Sequence, residues 1–174
     1  NVSLRLGERE KPALEEPFNH PADIAVTGDG EIYIADGYAN SSVHRFKSDG
    51  TYVKSWGSWG VGPGQFSVPH GIWVHKDRVY VCDRENHRVQ IFDTDGAYIS
   101  EWLGFFHPMD IFIDPEETVY VTDQVPGMTM LNLDGQMITR IRTAANAHGV
   151  WVDIYGNMYA AGNEALVTKY KKIL

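Results

Sequence analysis

Cysteine is almost absent from this chain of 174 residues: Cys82 stands alone, which excludes an internal disulfide framework. Its place in an apolar run reads as a small core residue rather than a nucleophile. Cations are also scarce, with 15 Lys and Arg against 23 Asp and Glu for a formal charge of −8. Proteins that hold nucleic acid neutralise phosphates with clustered Lys and Arg, so no nucleic-acid partner is expected. No apolar run approaches membrane-spanning length, and Asn1-Val-Ser-Leu-Arg-Leu6 lacks a signal-peptide layout. No membrane partner is expected, and the compartment stays unassigned. A convincing helical period is missing as well.

What is present is a repeat. The apolar cores Ile24-Ala-Val26, Ile72-Trp-Val74, Ile111-Phe-Ile113 and Val150-Trp-Val152 recur about 40 residues apart, a spacing typical of propellers and arrays. A second strand follows each core and ends in Tyr33-Ile-Ala-Asp36, Tyr80-Val-Cys-Asp83 or Tyr120-Val-Thr-Asp123. In the second unit the spacing predicts strands over Gly71–His75, Arg78–Cys82, Arg88–Phe92 and Ala97–Trp102, separated by Asp, Asn and Gly turns. With 43% hydrophobic residues, the chain can bury one core. The expectation is an all-β, single-domain β-propeller over residues 1–174, with four-stranded blades at about 18–57, 66–103, 106–142 and 147–174. The last unit stops after its third strand, and residues 1–7 read as a candidate closing strand. Two outcomes stay open: a closed four-bladed ring, or part of a six-bladed one whose open blade edges would favour self-association.

The repeated Asp36, Asp83 and Asp123 read as turn caps, and Trp73 and Trp151 as packing between blades. Histidines carry the chemical signal. His70-Gly71 and His148-Gly149 sit two residues before their strand cores in alternate units, an address that aims both side chains at the propeller axis. Imidazoles converging there can hold a zinc-type ion, whose nitrogen ligands lie at about 2.0–2.1 Å. The plainer alternative is a histidine that caps its own turn. His44, His75 and His87 read as solvated residues of outer strands or turns. His20 and His107 each precede a proline and read as turn residues, with His107 a fallback ligand.

Asp36-Gly-Tyr-Ala-Asn40 with Ser42-Val-His-Arg-Phe46, and Asp83-Arg-Glu-Asn-His-Arg-Val-Gln-Ile-Phe92, resemble NHL repeats, a likeness extending over residues 18–170. Together with Gly64-Gln-Phe-Ser-Val-Pro-His70, the order of these motifs resembles the last four blades of peptidyl-α-hydroxyglycine α-amidating lyases. That resemblance implies NHL-type blades, with His70 and His148 as the second and third of three histidines that bind catalytic zinc or another divalent metal. It also implies catalytic positions for Tyr38, as general base, and Arg84, as substrate-binding cation. The implied reaction splits an α-hydroxyglycine C–N bond of a small-molecule or peptide substrate into an amide and glyoxylate. From the residues alone, Tyr38 reads equally as a packed turn aromatic and Arg84 as an ion-pair partner of Asp83 or Glu85. The family's calcium contact, an Asp after the last zinc histidine, is Gly149 here, so calcium is not expected. The family's animal members carry paired cysteines, which are absent here; the resemblance leaves two alternatives, a bacterial-type relative with a different substrate or a fragment that cannot catalyse alone. The alternative function is a non-catalytic NHL scaffold that binds a protein or small ligand. Hydrolysis of a lactone or ester ranks lower, because it calls for axial carboxylates around calcium.

Overall fold

The structure, a computed structural model, describes residues 2–144, 146–162 and 166–173. Among the described residues, fifteen strands form four antiparallel sheets, each taken in chain order. The first blade comprises β1 (Asp23–Val26), β2 (Ile32–Asp36), β3 (Ser42–Phe46) and β4 (Tyr52–Trp56). The second comprises β5 (Pro69–His75), β6 (Arg78–Asp83), β7 (Arg88–Asp93) and β8 (Tyr98–Trp102). The third runs through β9 (Pro108–Ile113), β10 (Val119–Asp123), β11 (Gly127–Leu131) and β12 (Met137–Arg142). The fourth shows three strands among the described residues, β13 (Ala147–Val152), β14 (Met158–Gly162) and β15 (Leu166–Tyr170). A single 3-10 turn, Arg84–Asn86, is the one helical piece among the described residues.

This is a four-bladed β-propeller. Neighbouring blades meet along their inner strands, β1 on β5, β5 on β9 and β9 on β13. The first and fourth blades are not packed on each other in this way: Ile24 and Val26 on β1 are 54% and 62% exposed, and Trp151 on β13 is 54% exposed. The expected closing strand is corrected. Residues 2–6 form no strand; Leu6 packs instead with Phe18 against Ile32, Ile34 and Phe46 of the first blade. Covering that apolar face is favoured over adding a strand to a distant sheet.

The middle strands are apolar on the faces where blade packs on blade, which in the second and third blades means both faces. Tyr33 and Ala35 meet Ile72 and Val79 between the first two blades. Cys82 and Val89 meet Ile111 and Val121 between the next two. Burial raises the Cys82 thiol well above its ordinary pKa, so it is inert core. Trp56 and Trp102, which end β4 and β8, each reach the outer hairpin of the following blade. There Gly96 and Gly135, both at φ 78°, leave space that a Cβ would fill with clash against the indole.

The loop into each inner strand is fixed by the aspartate at the end of the second strand. The amides of Asn19, Ser67 and Phe106 donate to Asp36, Asp83 and Asp123 respectively. Each of these residues precedes a left-handed residue, His20, Val68 or His107 (φ 64°, 60° and 49°), and then Pro21, Pro69 or Pro108. Left-handed backbone is costly for a β-branched valine, and the clamp holds it. The aspartates therefore do more than cap the following turn. Asp83 also accepts from Asn86 Nδ2, Arg88 Nε and Gln90 Nε2 at 2.8, 2.8 and 3.1 Å. Asp36 accepts from Asn40 Nδ2 at 2.8 Å and pairs with His44 Nε2 at 3.1 Å. His44 is thus fully buried, not solvated as its outer-strand position suggested.

Removing this carboxylate is expected to be severe. Asp83→Ala leaves Arg88 Nε and the Ser67, Asn86 and Gln90 donors without their shared acceptor, while Glu101 still pairs the guanidinium, so unfolding by denaturant should show a loss of about 3–5 kcal/mol. A loss under about 1 kcal/mol would remove the clamp from the account of the fold.

Candidate active site at the axial mouth

The inner strands alternate at one position. Asp23 and Asp110 precede the apolar cores of the first and third blades, whereas Gly71 and Gly149 stand there in the second and fourth. Each aspartate reaches across to the following blade: Asp23 Oδ2 accepts from the Ile72 amide at 2.9 Å, and Asp110 Oδ2 from the Val150 amide at 2.8 Å. These amides need a partner because register shifts after Pro69 in β5 and after Ala147 in β13 interrupt the ladders. Gly71 lets the blades close up: a Cβ there would sit 2.7 Å from both Asp110 Cα and Met109 O. That approach brings His70 Nδ1 within 2.7 Å of the Met109 carbonyl.

This contact fixes the His70 tautomer. Nδ1–H donates to Met109, so Nε2 is the bare acceptor and takes the Tyr38 hydroxyl proton in a hydrogen bond of 2.9 Å. His70 is 3% exposed, and the His148 ring lies 4.8 Å away, centroid to centroid. Burial is the first cause that pushes the His70 pKa down to about 4, against the Met109 carbonyl; the charges of His148 and Arg84 push the same way. Burial and then Arg84 also lower His148. Both imidazoles are therefore neutral near pH 7; the one lone pair of His70, on Nε2, is engaged by the Tyr38 hydroxyl, and a ligand there would take that proton's place. Arg84 leans on Glu85 at 3.4 Å, and its Nε is buried without a hydrogen-bond partner.

So the fold brings Tyr38, His70, Arg84 and His148 to one place from three blades. The residues fit part of a divalent-ion site: a second contact orients the His70 ring as metal-binding histidines usually require, and both rings are uncharged. Among the described residues, no group of three or more His, Cys, Asp and Glu side chains is arranged to hold an ion. His107 does not join the two histidines but borders the site through Glu85. Its Nδ1 faces Glu85 Oε2 at 3.2 Å and its ring meets His87. His75 faces Glu117 at 3.5 Å, and His87 stacks on Phe106; neither is simply solvated.

The sequence offered Glu85 as a partner of Arg84, which the structure shows at 3.4 Å, but gave no role to Asp23, Asp110 or Phe106. The aspartates had a signal, since they share the offset of Gly71 and Gly149 in the repeat. Burial, then the charge of Asp23, raises Asp110 to about 7, against its two amide donors, Val150 and Ile111.

The NHL repeat family matches residues 18–46 and 66–92. The chain is similar to rat peptidylglycine alpha-amidating monooxygenase, 41% identical over 100 residues, which cover 53% of this chain and 10% of that protein. A probable peptidyl-alpha-hydroxyglycine alpha-amidating lyase of Caenorhabditis elegans is 36% identical over 98 residues, covering 53% of this chain and 28% of its own length. The chain therefore matches less than a third of the length of these relatives. Among solved structures, hydrazine synthase of Kuenenia stuttgartiensis superposes with a TM-score of 0.73 at 16% identity, over 95% of this chain and 49% of that one. That likeness is one of fold.

A raised carboxyl pKa makes a stability statement. Asp110 stays protonated up to about pH 7 in the fold but ionises near 4 when unfolded, so its contribution is complete below pH 4 and lost as pH rises to 7. The lowered histidines act in the opposite sense, losing stability as pH falls below 6.5. Comparing Asp110→Asn with wild type isolates the carboxyl. The two should melt together near pH 4, and the variant should gain on wild type up to pH 8, by an amount on the order of 2–4 kcal/mol. A difference that does not change with pH would contradict this.

Proposed function

From an NHL-repeat β-propeller with these four side chains at its mouth, we propose a lyase-like activity that cleaves an α-hydroxyglycine C–N bond to an amide and glyoxylate. The observation that carries the proposal is the Tyr38 hydroxyl 2.9 Å from the unprotonated Nε2 of His70, beside His148 and Arg84. The amidating lyase and monooxygenase names of the relatives support the same reading.

Arg84 offers an unpaired buried Nε–H and a positive charge to the substrate carboxylate, a pairing that orients the hydroxyl-bearing carbon. Tyr38 acts as the base once the proton it shares with His70 Nε2 has left, and takes the substrate hydroxyl proton onto its oxygen. The C–O bond becomes a carbonyl as the C–N bond breaks, and the departing amide nitrogen recovers that proton from Tyr38, which restores the base, so atoms and charge balance. His70 and His148 are the side chains that would hold zinc or another divalent ion. When bound, such an ion supplies Lewis-acid stabilisation of developing negative charge on oxygen. Neutral imidazoles are the form such an ion needs.

A second reading is a non-catalytic NHL scaffold, favoured by the family match, which concerns repeats rather than chemistry. In that reading the exposed Ile24, Val26 and Trp151 flanks are also surfaces for self-association.

The test uses tag-free protein, elemental mass spectrometry, solution mass and glyoxylate release from N-acyl-α-hydroxyglycines. The lyase reading expects a stoichiometric divalent metal that disappears in His70→Ala, and a fall in kcat/KM of about 10²–10⁴ in Tyr38→Phe. Wild-type protein that releases no glyoxylate when loaded with zinc would leave the scaffold reading.

A further inference from the structure

Three aromatic rings form a shelf beside Arg84 that neither the core nor the candidate chemistry uses. Phe106 stacks on His87 with centroids 5.1 Å apart and planes 9° from parallel. His107 meets both rings edge-on at 4.4 Å. Phe106 is 48% exposed, so an aromatic face is presented to solvent.

The shelf is rigidly mounted. The Gln124 amide donates to the Phe106 carbonyl at 3.0 Å, and the His87 amide to the Arg84 carbonyl at 3.2 Å. The His107 amide donates to His87 Nδ1 at 3.1 Å, which leaves the His87 proton on Nε2. Left-handed backbone at His87 and His107 (φ 58° and 49°) completes the mounting. An exposed aromatic surface on a fixed backbone binds with little ordering cost.

Glu85 links the shelf to the site. Its Oε2 lies 3.2 Å from His107 Nδ1, its Oε1 lies 3.4 Å from the Arg84 guanidinium, and its charge reaches His70. One side chain therefore separates the carboxylate-binding arginine from the stacked rings. In an N-acyl-α-hydroxyglycine, the acyl substituent lies one amide unit beyond the carboxylate-bearing carbon, a reach of roughly 6 Å from the carboxylate.

We propose that Phe106 and His87 form a subsite for an aryl group on the amino side of the scissile bond, so that the site selects N-aroyl or aromatic-residue substrates over N-acetyl ones. This rests on the lyase-like reading for the identity of the substrate, though not for the aromatic recognition itself. A planar group extends the Phe106 and His87 stack, or meets it edge-on, in the arrangements aromatic pairs favour.

The test uses two compounds that lack the hydroxyl and so undergo no reaction, N-benzoylglycine and N-acetylglycine, titrated into the full chain by NMR. Wild type should bind the benzoyl compound about tenfold more tightly, with shifts at the His87 and Phe106 ring protons. The preference should fall below twofold in Phe106→Ala and in Phe106→Leu, which keeps apolar bulk without the stack, and should persist in Phe106→Trp. A wild-type preference under twofold, or one that survives in folded Phe106→Ala or Phe106→Leu, would overturn the subsite. Failure of the lyase reading looks different. N-Benzoyl-α-hydroxyglycine would then release no glyoxylate while the benzoyl preference stands, leaving the shelf as a subsite for aromatic acids.

Discussion

A carboxylate buried at the end of the second strand grips the backbone of the loop that enters the innermost strand, in each of the first three blades. The axial geometry depends on this grip. It holds a left-handed residue before a proline, and in the second blade it fixes Val68 two positions ahead of His70. Without it, the loop has no reason to keep a β-branched residue in that conformation. The clamp carboxylate also gathers buried donors from its own sheet, Arg88 and Gln90 in one blade and His44 in another. Loop, strand and outer edge thus share one polar centre.

On that frame, the alternation of aspartate and glycine along the axis separates bracing from chemistry. Asp23 and Asp110 supply acceptors for amides that the bulged ladders leave free. Gly71 removes the side chain that would hold the second and third blades apart, and that closeness places the Met109 carbonyl on His70 Nδ1. A carbonyl contact, a burial effect and a nearby guanidinium then act together to leave His70 neutral, with Nε2 turned to Tyr38. The chain as a whole carries a charge of −8, yet the mouth is set by local terms of the opposite sign. Short-range desolvation and Arg84 outweigh a diffuse field that solvent and salt screen.

Much of the fold was legible in order along the chain. Strand cores about 40 residues apart, Tyr-x-x-Asp endings and Asp-Gly hairpins are local signals, and a repeat multiplies each of them. The shared address of His70 and His148 could be read the same way, because position within a repeat unit maps onto position around an axis. Closure could not. Residues 2–6 look like a strand, but apolar contact with Phe18 and Phe46 decides where they lie, and no local propensity encodes that choice. His44 misled for the same reason: an outer-strand histidine is buried here only because Asp36 from the neighbouring strand requires a partner.

The sequence by itself determined the blade repeat, the turns and the residue types available at the axis, since these follow from periodicity and backbone preference. Only the tertiary structure decided the His70 tautomer, the reach of Asp23 and Asp110 into the next blade, and the meeting of Glu85 with His107. Each of these is a contact between blades, or between loops far apart in the chain. Its energy depends on distance and desolvation, and neither exists until the blades have packed.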